Sequence, residues 1–165
     1  MPVQQHDVGV SAAELAERSL VFHRRFRAPR ELVFRAWTES GQIGEWWGPD
    51  GFTTTTREMD VRPGGVWRFT MHGPDGTDYP NRIVYLEVSP PERLVYRHEP
   101  DRADEPVTFT VTVLFEQQGA DTAMTMSMVF PSPVALREVV AKYGADEGAR
   151  QTLGRLEAYV KRLAG

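Results

Sequence analysis

Four residues have side chains suited to chemistry inside a protein: Tyr85, Glu87, Tyr96 and His98. Period-two spacing puts Tyr85 and Glu87 on one face of a strand, and Tyr96 and His98 on one face of the next. Beneath a cover of apolar groups, a glutamate has a raised pKa and serves as a general acid or base. Phenols and an imidazole in the same place orient a ligand. A solvated glutamate is the commoner state of that residue, so the reading depends on which strand face is covered.

The other constellations carry less. His72 lies near Asp75 and Asp78, which would let the three hold a cation, but aspartates in Gly73-Pro74-Asp75-Gly76 are explained by the turn they make. There is no paired-histidine motif, so no metal site is expected. No Gly-x-Ser-x-Gly elbow occurs, and Gly64-Gly65, Gly73 and Gly76 are not followed by Gly-Lys-Ser/Thr. The chain has no cysteine, which removes disulfides and thiolate chemistry and agrees with a cytoplasmic location. No cofactor is expected.

What the sequence offers in quantity is apolar bulk at regular spacing. Three of the four tryptophans, Trp37, Trp46 and Trp47, fall within eleven positions. A tryptophan cluster marks a thick part of a core or the rim of an apolar pocket. Trp67, Phe69 and Met71 alternate with Arg68, Thr70 and His72. Phe109, Val111, Val113 and Phe115 alternate with Thr108, Thr110 and Thr112, as Met124, Met126 and Met128 do with Thr125 and Ser127. Alternation with one apolar face indicates antiparallel sheet covered on one side. Leu153, Leu156 and Tyr159 belong to a helix able to supply the cover, and unbranched methionines make an adaptable lining. A solid core would use the same residues. The expected placement is Trp37 in the core, with Trp46 and Trp47 at a cavity entrance.

The elements that must position these groups read in order. Residues 1–18 form an appendage in which Ser11 and Glu14 have capping-box spacing for a short helix. One domain is expected over residues 19–165. It begins with a strand from Ser19 to about Phe26, a helix opened by Pro29, and a second short helix from Ser40 to Trp46 stopped by Gly48-Pro49. Strands follow at 53–61, 66–72, 82–88 and 93–98. Residues 99–106, charged and bracketed by prolines, read as a mobile loop. Two more strands precede a helix running from Ser132-Pro133 to Tyr143-Gly144. A final helix capped by Asp146 carries an apolar stripe of Ala149, Leu153, Leu156, Val160 and Leu163.

With 165 residues, 41% hydrophobic and 25% charged, the chain suits one globular domain. The net charge is −4 with basic residues dispersed, so no nucleic-acid stripe is expected. No run approaches the ~20 apolar residues that cross a bilayer, and no secretory signal is seen at the start.

The order of strand, two short helices, long meander and terminal helix resembles the α+β helix-grip fold of the START-like, birch-pollen-allergen-like (SRPBCC) superfamily. Within it, residues 28–37 (Ala28-Pro29-Arg30 through Trp37), Trp46-Trp47-Gly48-Pro49, Pro63-Gly64-Gly65-Val66-Trp67, residues 88–96 and Gly148 resemble the Hsp-90 ATPase activator-like (AHSA-type) family, whose bacterial members are stand-alone domains. The family often has Gly-Trp at the start of the last helix, and this chain has Gly148-Ala149 instead. The missing bulk should leave space beside the sheet unless Tyr143 or Tyr159 fills it.

The resemblance implies a curved sheet gripping the terminal helix, with a cavity between them. The expected function is binding or carrying a hydrophobic small molecule, contacted by Trp46, Trp47, Trp67, Phe69, Met71, Tyr85, Glu87, Tyr96, His98, Phe109, Met126, Met128, Leu156 and Tyr159. An enzyme of the cyclase, hydratase or lyase kind in the same cavity is the second expectation. A chaperone ATPase-stimulating partner is the third, since eukaryotic activators carry a further chaperone-binding domain that residues 1–18 are too short to supply. Edge strands near 20–26 or 53–60 would allow a homodimer.

Overall fold

The computed structural model describes residues 11–100 and 108–165. The expected mobile loop at 99–106 falls largely outside the described residues, as does most of the appendage. Helix α1 (Ala12–Glu17) does form, and the Ser11 side chain accepts a hydrogen bond from the Glu14 amide at 3.0 Å.

Seven strands make one antiparallel sheet in the order β1-β7-β6-β5-β4-β3-β2. They are β1 (Ser19–Phe26), β2 (Thr53–Met59), β3 (Val66–His72), β4 (Asp78–Ser89), β5 (Arg93–Pro100), β6 (Phe109–Gln118) and β7 (Asp121–Val129). Strands β2 to β7 are a meander of consecutive hairpins, and β1 closes on β7, so β1 and β2 are the two edges. The β6–β7 hairpin turns on Gly119-Ala120 with Gly119 at φ 64°, the glycine-first pattern that matches strand twist. Helices α2 (Arg30–Thr38) and α3 (Ser40–Ile43) bridge from one edge to the other. Helices α4 (Pro133–Tyr143) and α5 (Ala145–Ala164) end the chain.

The alternation predicted from sequence is the one observed. In β7, Met124, Met126 and Met128 are buried while Thr125 and Ser127 are only partly so. Trp67 and Phe69 are almost wholly inaccessible, and Val111, Val113 and Phe115 form the matching row on β6. Helix α5 completes the core with Leu153, Leu156, Tyr159 and Val160. This is the α+β helix-grip arrangement, a curved antiparallel sheet with a long terminal helix against its concave face.

Four local expectations need correction. β4 starts at Asp78 rather than Arg82, and Pro80 lies inside it. Pro80 pairs with Thr70 of β3, and β5 meets β4 from Asn81 onward among the described residues. The short helix α3 ends at Ile43, and residues 44–46 continue as turns. Gly144, left-handed at φ 61° and ψ 41°, both ends α4 and caps α5, so Asp146 lies in the first turn of α5 instead of at its cap. Leu163, expected in the buried stripe, is 46% exposed near the end of α5.

Candidate functional site

A cavity of about 990 Å³ opens between the sheet and the α4–α5 corner. Its inner wall is β5, β6 and β7, through Tyr96, His98, Phe109, Val111, Met126 and Met128. Trp37 and Trp47 close one side. Met71, Phe52 and Asn81 line the neighbouring wall, and the α4–α5 corner from Glu138 to Leu153 forms the outer one.

Local structure explains how each wall is held. Trp47 sits against Trp67 at 4.9 Å and 80° and against Phe69 at 5.7 Å and 80°, both edge-to-face geometries. The chain then turns through Gly48 at φ 105°, a conformation open to glycine, and an added Cβ would come within 3.2 Å of Phe52. Arg155 of α5 fixes this turn: its Nη1 donates to the carbonyls of Gly48 at 2.7 Å and Pro49 at 3.0 Å, with Trp47 at 3.4 Å. The tryptophan wall is thereby tied to the terminal helix by a charged donor.

His98 is the polar centre of the inner wall. Its Nε2 lies 3.1 Å from Asn81 Oδ1, and the Asn81 amide nitrogen donates to the Tyr79 carbonyl at 3.0 Å. That second bond sets which end of the amide faces the ring, so Nε2 carries the proton and donates. Among the described residues Nδ1 then has no hydrogen-bond partner and is left as an acceptor. The ring keeps some accessible surface because it stands in a cavity wall, yet Trp47, Phe69 and Phe109 surround it, the last at 4.9 Å. Removal from bulk water pushes its pKa down to about 4, with Glu99 pulling weakly upward, so it is neutral at pH 7.

Tyr96 is buried two residues before it, and desolvation raises its phenol above the usual range, as it does for Tyr85 behind it. Two buried donors lack partners in this region, Trp37 Nε1 and the Tyr85 hydroxyl. An unpaired buried donor costs about 1–3 kcal/mol. Trp37 lines the cavity with part of its ring, while its Nε1 itself is sealed from it.

Of the residues singled out in the sequence, the cavity brings together Trp47, Met71, Tyr96, His98, Phe109, Met126 and Met128. Trp67 and Phe69 stand behind Trp47, and Tyr85 behind Tyr96. Trp37 packs in the core as expected, 2% exposed, with part of its ring also lining the cavity. Trp46, expected at the entrance, is instead fully buried, with its indole N–H donating to the Ala36 carbonyl at 3.1 Å. Leu156 and Tyr159 lie farther along α5, which advances 1.5 Å per residue, and the Tyr159 hydroxyl donates to Gln42 Oε1 of α3 at 3.1 Å.

Glu87 does not share a face with Tyr85. A β-bulge leaves Leu86 unpaired: Tyr85 is opposite Tyr96, but Glu87 is opposite Val95, on the outer face. There it accepts from Ser89 and Arg93, bonds that hold its pKa below the ordinary glutamate value. His72, Asp75 and Asp78 also remain outside. His72 Nδ1 contacts Asp78 Oδ1 at 2.7 Å, and Asp75 accepts from the Thr77 amide as a turn residue. Among the described residues no three metal-ligating groups converge.

Trp37, Asn81, Phe52, Arg155 and the inner side of α4 were not anticipated. Asn81 was hidden by Pro80, which discourages a strand reading. The α4–α5 face was traceable, since Val139, Lys142, Ala145, Ala149 and Leu153 recur at helical spacing across the Gly144 break.

A curved antiparallel sheet, an early helix pair and a terminal helix enclosing a side cavity define a START-like helix-grip protein. The family model described as "Activator of Hsp90 ATPase homolog 1-like protein" matches residues 27–161, and the chain belongs to that family. Similar solved structures include a protein from Arthrobacter aurescens with a TM-score of 0.83 at 24% identity, covering 94% of this chain and 92% of that one. Protein Ms6760 from Mycobacterium smegmatis gives 0.80 at 25% identity, covering 91% and 95%. Protein NE0264 from Nitrosomonas europaea gives 0.78 at 26%, covering 90% and 97%. A search of curated proteins gave no match. No described helix is long and apolar enough to cross a membrane.

Proposed function

We propose that this protein binds or carries an apolar or aromatic small molecule in the cavity between its sheet and the α4–α5 corner. The observation that carries this reading is a 990 Å³ space whose inner wall consists of aromatic rings, valine and two methionines, with very few polar groups. Volumes of 300–1,000 Å³ with mostly apolar linings and a few fixed polar groups are the usual form of small-molecule sites. The position of Gly148-Ala149 supports it, because both residues line the cavity where a larger side chain would intrude. Tyr143, half exposed, borders the cavity, and Tyr159 bonds to α3, with the space left open between α4–α5 and the sheet.

Acid–base catalysis is less well supported, because Glu87 lies on the outer face and His98 is held neutral with its Nε2 engaged. Stimulation of a chaperone ATPase is a second reading that rests on the family description alone. A neutral naphthyl dye, N-phenyl-1-naphthylamine, tests the proposal. Its fluorescence should rise on saturable, one-to-one binding to the purified protein. No saturable signal would contradict a ligand-admitting cavity.

A further inference from the structure

The inner wall carries more than apolar surface, and its polar groups constrain what the cavity takes. Charged groups on the lining, Glu138 and Lys142, are both exposed residues of α4 at the mouth. Among the described residues the β-strand wall has no charged side chain, so a carboxylate or ammonium pushed against it would be desolvated without a partner there. On β5 the polar side chains are His98, whose Nδ1 is fixed as an acceptor by the Nε2–Asn81–Tyr79 chain of bonds, and Tyr96, whose hydroxyl has no partner among the described residues. Tyr79 and Asn81 add polar groups on the neighbouring β4. Trp47 at 6.2 Å and Phe109 at 4.9 Å flank the imidazole, leaving a slot edged by rings.

We infer that the ligand is an uncharged aromatic molecule bearing a hydroxyl group, with that O–H donating to His98 Nδ1 while its ring lies among Trp47, Phe109 and Trp37. A hydroxyl fits better than an amine because its oxygen also accepts, and the Tyr96 hydroxyl stands on the same strand face as a donor. The depressed basicity of His98 agrees with this, since a protonated ring would offer a second donor in place of the acceptor. The inference rests on the cavity being the binding site and adds the class of molecule.

Calorimetric titration at pH 7.5 with 2-naphthol, naphthalene and 2-naphthoate distinguishes the two statements. The expected result is that 2-naphthol binds at least tenfold tighter than either of the others. His98→Phe should bring 2-naphthol to the level of naphthalene measured on the same variant. His98→Gln, which keeps an acceptor, should retain part of the preference. Equal binding of 2-naphthol and naphthalene would overturn the hydroxyl assignment while leaving the apolar cavity standing, and so would tightest binding of 2-naphthoate. Binding of none of the three would overturn both. If His98→Phe does not fold, Tyr96→Phe and the wild-type ratios decide, the variant being expected to lower the preference at least threefold.

Discussion

At the scale of single residues, His98 ties the site to the stability of the protein. Its folded pKa is lowered to about 4, whereas an unfolded histidine titrates near 6.5. Between those values the unfolded chain binds more protons, so stability is complete above pH 6.5 and falls as pH drops toward 4. The loss is of order 1–3 kcal/mol, allowing for the ring's partial exposure. Urea unfolding at pH 7.5 and 4.5 should show it, and His98→Phe should flatten the difference. Thr122 is a second instance: its fully buried hydroxyl donates to the Ala28 carbonyl at 2.7 Å. Thr122→Val should cost about 1–2 kcal/mol by urea unfolding, because a buried carbonyl loses its donor.

At the scale of elements, periodicity was a sound guide wherever a strand kept its register. The alternation of β3, β6 and β7 placed Phe109, Met126, Met128 and Met71 correctly, because period two leaves no choice once one face is buried. It failed at β4, where the single unpaired residue Leu86 moves every later side chain to the opposite face and takes Glu87 out of the interior. Nothing in the Tyr85-Leu86-Glu87 composition announces a bulge. Trp46 also departs from its expected place at the entrance: it is buried, and its indole N–H donates to the Ala36 carbonyl.

The turn at Trp47-Gly48-Pro49 depends on a contact 106 to 108 positions away in sequence, which no local pattern reveals. Arg155→Met keeps the apolar stem and removes the donor. It should cost about 1.5–3 kcal/mol and weaken dye binding severalfold by releasing the Trp47 wall, as denaturation and fluorescence titration would show.

At the scale of the whole molecule, the fold leaves room that α5 does not fill. Trp46, Trp67 and Phe69 are fully buried in the core, and the cavity lies between the sheet and the α4–α5 corner, where Gly148-Ala149 presents no bulk. Space here was expected from Ala149, which stands where the family often has a tryptophan, whereas its extent depends on how α4 turns at Gly144. Ala149→Trp should fill the space, leave Tm unchanged or raised by a few degrees, and reduce dye affinity at least tenfold.

Native mass spectrometry of the purified protein, alone and with added 2-naphthol, tests the central claim most directly. A small-molecule adduct on the wild type, either co-purified or formed with 2-naphthol, and its absence from Ala149→Trp are the predicted result. Bare protein mass for the wild type under both conditions, or equal adducts on both proteins, would contradict a ligand held in this cavity.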